Sequence, residues 1–205
     1  MLKLVSRDLR ILWEVERWRF SLARQIMAFT NFQSKSALYR RLKLLVDYGY
    51  LKRKRYIYGL PALYNITPKG YKALAMPVKN VNVSVGVIEH ELAVIDTYLY
   101  LKEKYHLNYD DFKSERQLRL EYTKSKHYPD IVFTIDDKMY CVEIEFTLKN
   151  ATLLERNIKE NYVNYDNQIW VIKKEHTRLH KLFEKFEMEY PNIEIILWEE
   201  ICLCW

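Results

Sequence analysis

The sequence predicts an α+β fold: a small module of helices and a hairpin, followed by an α/β module with a central mixed sheet. Three observations predict it. Helical apolar periodicity runs through residues 7–48, two dense β-branched and aromatic runs stand side by side at 130–146, and helix and strand patterns then alternate to residue 198. The charge divides along the same line. Residues 1–80 carry 17 Lys and Arg against 4 Asp and Glu, a net +13, whereas residues 81–205 carry 16 against 23, a net −7. The expected domains are 1–78 and 79–205. With 49% apolar residues the chain can build a core, and with only 4 Gly it is neither low-complexity nor a carrier of glycine-rich nucleotide loops. No apolar run approaches the ~20 residues of a membrane span, and charge arrives too early at the N-terminus for a secretory segment. Three Cys fit a reducing, cytoplasmic setting without a disulfide framework.

The elements of the basic module follow in order. Leu9, Leu12 and Trp13 predict a first helix over 7–19. Ser21 is expected to cap a second helix over 22–29, and 30–33 to turn. Ser34 caps a third helix over 35–48, whose Leu38, Leu42, Leu45 and Val46 form the inward stripe and which Gly49 ends. The opposite face presents Lys35, Ser36, Tyr39, Arg40 and Lys43. A strand over 50–58 carries Lys52, Arg53, Lys54 and Arg55, a turn at 59–61 reverses it, and 62–66 returns. Thr67-Pro68 then opens a helix over 69–76.

A helix with donors and long cations on one face suits the DNA major groove, and a strand with four consecutive cations suits the flanking phosphates. Double-stranded DNA is therefore the expected partner. The stretch SALYRRLKLLVDYGYLKRKR resembles the recognition helix and wing of winged helix-turn-helix domains, and YNITPKGYKAL resembles the segment that closes such wings. The resemblance implies DNA binding and a homodimer on a two-fold symmetric site.

The acidic module begins after a connector at 77–84. A helix is expected over 87–104, then a loop and a strand within 107–121. Strands follow over 130–135 and 138–146 around the two-residue turn Asp136-Asp137. A helix over 151–165, a strand over 168–172, a helix over 175–190 and a strand over 193–198 complete the module. Alternation along the second strand of the hairpin puts Glu143 and Glu145 on one face. A tight turn at 136–137 pairs residue 130 with 143, so Asp130 joins them. Converging carboxylates repel, and a hard cation such as Mg²⁺ or Mn²⁺ relieves that repulsion and can activate water toward a phosphodiester. His176 with His180, and Cys202 with Cys204, have ligand-like spacing but lack further partners.

Pro129-Asp130, the hairpin and Glu143-Ile144-Glu145 are similar to the PD-(D/E)xK nuclease core. That resemblance implies a restriction-endonuclease-like domain with Asp130 and Glu143 as metal ligands and Glu91 as an extra acidic ligand. It departs where Glu145 stands in place of the catalytic Lys, so Lys149 or Lys159 is the expected substitute. The order of winged helix, His90-Glu91-Leu92, Ser114-Glu115-Arg116-Gln117, His127-Tyr128-Pro129-Asp130 and the 143–149 run resembles the replication-relaxation family of plasmids and integrative elements. Membership implies a mobile-element protein acting on DNA in replication, relaxation or transfer, with a relaxase or replication protein as partner. Cleavage by a Mg²⁺-dependent endonuclease and transcriptional regulation are the alternative readings.

Overall fold

A computed structural model of the chain describes residues 2–30, 32–79, 83–122, 127–148 and 150–202. It has the mixed helix and strand content the sequence predicts and divides into two compact units, 1–95 and 96–205.

The first unit contains α1 (Ser6–Arg17), β1 (Ser21–Leu22), α2 (Ala23–Phe29), α3 (Lys35–Asp47), β2 (Leu51–Lys54), β3 (Leu63–Ile66) and α4 (Pro68–Ala73). Its three strands form an antiparallel sheet in the order β1-β3-β2. Ile11, Leu12 and Val15 of α1 meet Ile26 of α2, Leu38, Leu42 and Leu45 of α3 and Tyr71 of α4 in one buried cluster. Several expected caps are present. Ser34 Oγ accepts the Ala37 N–H at 3.2 Å, Thr67 Oγ1 accepts the Gly70 N–H at 3.1 Å, and Gly49 sits beyond α3 at φ 74°.

Three expectations are corrected. Ser21 does not cap a helix; it pairs with Tyr64 as a strand residue, and the Gln25 carboxamide oxygen takes over the capping by accepting the Leu22 N–H at 2.9 Å. Leu9 and Trp13 are exposed at 38% and 39%, because the inward row of α1 is Asp8, Ile11, Leu12 and Val15. The strand expected over 50–58 ends at Lys54, which pairs with Leu63, leaving Arg55 in the loop that Gly59 turns at φ 83°.

A helix, α5 (Ile88–Lys104), spans the division between the units. The second unit continues with β4 (Phe112–Ser114), α6 (Glu115–Glu121), β5 (Ile131–Ile135), β6 (Lys138–Glu145), α7 (Ala151–Asn164), β7 (Asn167–Ile172), α8 (Thr177–Glu189), β8 (Ile193–Leu197) and α9 (Trp198–Cys202). The sheet order is β4-β5-β6-β7-β8, antiparallel as far as β6 and parallel beyond it. Parallel neighbours need crossovers, and α7 and α8 supply them. Leu154 and Ile158 of α7 and Leu179 and Phe183 of α8 pack on Trp170 and Ile172, so both helices cover one face. On the other face Tyr98 and Tyr105 of α5 pack on an aromatic layer of Phe112, Phe133 and Tyr140.

The hairpin has the expected register, from Ile135 opposite Lys138 to Ile131 opposite Val142. Asp136 and Asp137 both have positive φ, 48° and 62°, as a type I′ turn requires. Residues 115–121 correct the expected strand: only 112–114 is extended. Ser114 N–H donates to Gln117 Oε1 at 3.0 Å and starts the helix α6. The short α9 at the end of β8 is also additional to the expected elements.

Candidate functional site

The basic unit exposes what its sequence places on α3 and β2. Leu38, Leu42 and Leu45 are buried, and 3.6-residue periodicity therefore turns Lys35, Ser36, Tyr39, Arg40 and Lys43 outward; all five are exposed. Lys52, Arg53, Lys54 and Arg55 are exposed as well, because only Leu51 of the edge strand β2 reaches the core. The two sets adjoin. Helix α3 packs against strand β2, in which Arg53 lies opposite Tyr64. Burial pushes the Tyr64 phenol up and the Arg53 charge pulls it back. Lys43 stays exposed while paired with Asp47 at 2.6 Å. Not every cation of α3 belongs to this surface. Arg41 turns to α1, where its Nε donates to Asp8 Oδ1 at 2.6 Å and its terminal nitrogen bonds the other oxygen. Asp8 is completely buried and also caps α1 by accepting the Val5 N–H at 2.7 Å.

The second unit brings two of the predicted acidic residues together. The paired register ends at Ile131 opposite Val142, and one further step along it brings Asp130 alongside Glu143 on the face that α7 covers. Asp130 Oδ2 accepts the Ile144 N–H at 2.8 Å. Glu143 is buried, and its Oε1 is bonded by His127 Nε2 at 2.5 Å and by the Asn161 amide at 3.0 Å. Burial raises the Glu143 carboxyl most; His127 and Asn161 lower it, and the nearby Asp130 charge raises it. Burial alone would lower the His127 pKa, but the Glu143 hydrogen bond and charge, with Glu160 and Asp130, raise it above the ordinary imidazole value. Cys141, two residues before Glu143 on the same face, is a fully buried thiol held well above its usual pKa by burial.

Of the other predicted site residues, the described ones hold different partners. Glu145 lies one step further along the strand face and accepts the Thr147 N–H at 3.1 Å. Glu91 belongs to the first unit and pairs with Arg19 at 3.3 Å. Lys149 lies outside the described residues. Lys159 is exposed on α7 and holds Glu155 at 2.7 Å. His180 contacts the Lys173 carbonyl at 3.2 Å. Among the described residues there is no group of three or more His, Cys, Asp or Glu that could hold a metal. Two carboxylates with retained waters nonetheless meet the donor requirement of Mg²⁺. Asp130 and Glu143 are the residues that would hold it.

Residue reasoning missed His127 and Asn161. His127 was visible only as part of the His-Tyr-Pro-Asp run. Asn161 continues the Leu154–Ile158 inward row of α7, and a carboxamide on an apolar row is a signal that it has a buried partner. No protein-family model matches this sequence, and no curated protein matches it.

Proposed function

We propose that this chain is a double-stranded DNA-binding protein of a mobile genetic element, acting in plasmid replication, relaxation or transfer. One observation carries the DNA-binding part: the nine polar and cationic residues of α3 and the β2 segment are all exposed, and the helix and edge strand that bear them adjoin. Three helices with a small antiparallel sheet support a winged-helix reading, in which α3 enters the major groove and the loop from β2 to β3 straddles the backbone. The test is fluorescence anisotropy with labelled duplexes. Arg53→Ala with Arg55→Ala should weaken binding at least tenfold at 0.1 M salt while the unfolding midpoint stays unchanged. Unchanged affinity in the double variant would sink the assignment of this surface.

A second reading rests on the proximity of Asp130, which accepts the Ile144 N–H, to the neighbouring Glu143. The second unit would then be a Mg²⁺- or Mn²⁺-dependent endonuclease of the PD-(D/E)xK type. A divalent ion there would polarise a phosphodiester and lower the pKa of bound water. Asp130 and Glu143 would bind the ion, Asn161 would orient Glu143, and His127 would exchange a proton with Glu143. Supercoiled plasmid incubated with Mg²⁺, Mn²⁺ or EDTA separates the readings. Nicking that needs metal and is lost in Asp130→Ala and Glu143→Ala makes the chain an enzyme; retention of the DNA without nicking leaves it a binding protein.

A further inference from the structure

A cavity of about 650 Å³ opens on the second unit, within the range of small-ligand sites. It lies on the α7 face of the sheet, between α6 and the C-terminal end of α7. Its floor is Val132, Thr134 and Met139, which the register aligns on one face. Leu118 and the rings of Tyr128 and Tyr165 pack with Val132 and Cys141 to make the apolar side. The polar side is Glu160, Asn161 and Asn164. The Tyr128 hydroxyl donates to the Tyr122 carbonyl and holds the rim.

The chemistry of this cavity is selective. Its cations are already engaged: Lys113 with Glu121 at 2.5 Å, and His127 with Glu143. A phosphate or carboxylate therefore finds little to hold it. The Tyr165 hydroxyl, pushed up to about 12 by burial, stays a proton donor at every physiological pH. Glu160 and the amides of Asn161 and Asn164 offer acceptors beside it. An apolar, aromatic side facing an edge of donors and acceptors fits a flat, uncharged, hydrogen-bonding ring. The cavity also shares residues with the carboxylate pair. His127 and Asn161, the two partners of Glu143, both line it. Val132 and Asp130 are successive residues of one strand face, about 7 Å apart.

We propose that this cavity receives an unstacked nucleobase of a DNA strand, an inference that rests on the DNA-binding reading above. The base lies against Tyr128, Tyr165 and Leu118, and its hydrogen-bonding edge meets Glu160, Asn161 and Asn164. Specificity for an extruded or single-stranded base would then come from the second unit, and affinity for the duplex from the first.

Titration calorimetry of the full chain with the four deoxynucleosides tests the cavity without the phosphate-binding surface. At least one nucleoside should bind with one-to-one stoichiometry. Thr134→Trp places a bulky ring on the exposed floor and should weaken that binding more than tenfold, with duplex affinity within twofold of the parent. Asn164→Trp on the opposite wall should do the same, which guards against one variant failing to fold. No nucleoside binding, or binding that both variants retain, overturns the inference. Duplex binding measured on the same samples keeps the outcomes distinct: a parent chain that binds duplex but no nucleoside removes the cavity assignment alone. Absence of duplex binding removes the reading on which it rests.

Discussion

Adjacent arginines on α3 illustrate how much a single residue's role depends on its helical phase. Arg40 points to solvent, whereas Arg41, 100° around the helix, is bound to a carboxylate with no solvent exposure. Breaking such a pair leaves Asp8 buried and unpaired, which costs about 3 kcal/mol. Arg41→Ala should therefore lower unfolding stability by about that amount in urea titration. Arg40→Ala should leave stability within about 0.5 kcal/mol and weaken DNA binding instead. A second test at this scale concerns His127 and Glu143. Both have folded pKa values raised above their ordinary 6.5 and 4.5. The folded state thus holds more protons than the unfolded state across both windows, and stability falls as pH rises through them. The midpoint of thermal unfolding should drop as pH rises above 6.5, and His127→Ala should flatten that part of the curve. A midpoint that rises there would contradict the pair as described.

At the scale of the element, the fourth helix of the first unit shows packing overriding propensity. Replacing Gly by Ala inside a helix is ordinarily worth up to about 1 kcal/mol of stability. A Cβ on Gly70, however, would stand 2.5 Å from the Tyr50 carbonyl oxygen and 2.6 Å from Ile66 Cγ1. Gly70→Ala should be destabilising by about 1–3 kcal/mol, measured by chemical unfolding. The same unit shows what could be read in advance. Ser34, Gly49 and Thr67-Pro68 act through local backbone chemistry and were legible from residue type alone. The hairpin was legible to the exact residue pairing, because a turn with positive φ at both Asp136 and Asp137 fixes the register of strands with strong alternation. Strand β1 was not legible: two residues cannot show a period, and only the distant β3 makes them extended. Helix α6 was hidden similarly, because Leu118 is its only buried residue and a single apolar position defines no helical stripe. The acidic pair was legible through that register. Its bonds to His127 and Asn161 were not, because they depend on how α7 and residue 127 are brought to the sheet.

At the scale of the whole molecule, the net +13 of residues 1–80 and net −7 of residues 81–205 set a testable electrostatic signature. If about six cations of the first unit meet phosphates, the logarithm of affinity should fall with the logarithm of salt with a slope near −5. Removing Arg53 and Arg55 together should make the slope shallower by about 2. A slope near zero would mean that the basic surface contacts something other than a polyanion. No helix among the described residues is long and apolar enough to cross a membrane.

The position of β2 in its sheet has one more consequence. With the order β1-β3-β2, one side of β2 pairs with β3 and the other has no neighbouring strand among the described residues. Such a rim is a template for strand addition from another molecule, and Lys and Arg on it are the usual deterrent. The exposed cations of β2, proposed above to meet phosphates, would therefore also guard against self-assembly. Charge-removing variants made to abolish DNA binding should be checked by light scattering, and Gln or Glu at 52–54 should keep the protein monodisperse where Val or Ile would seed aggregation.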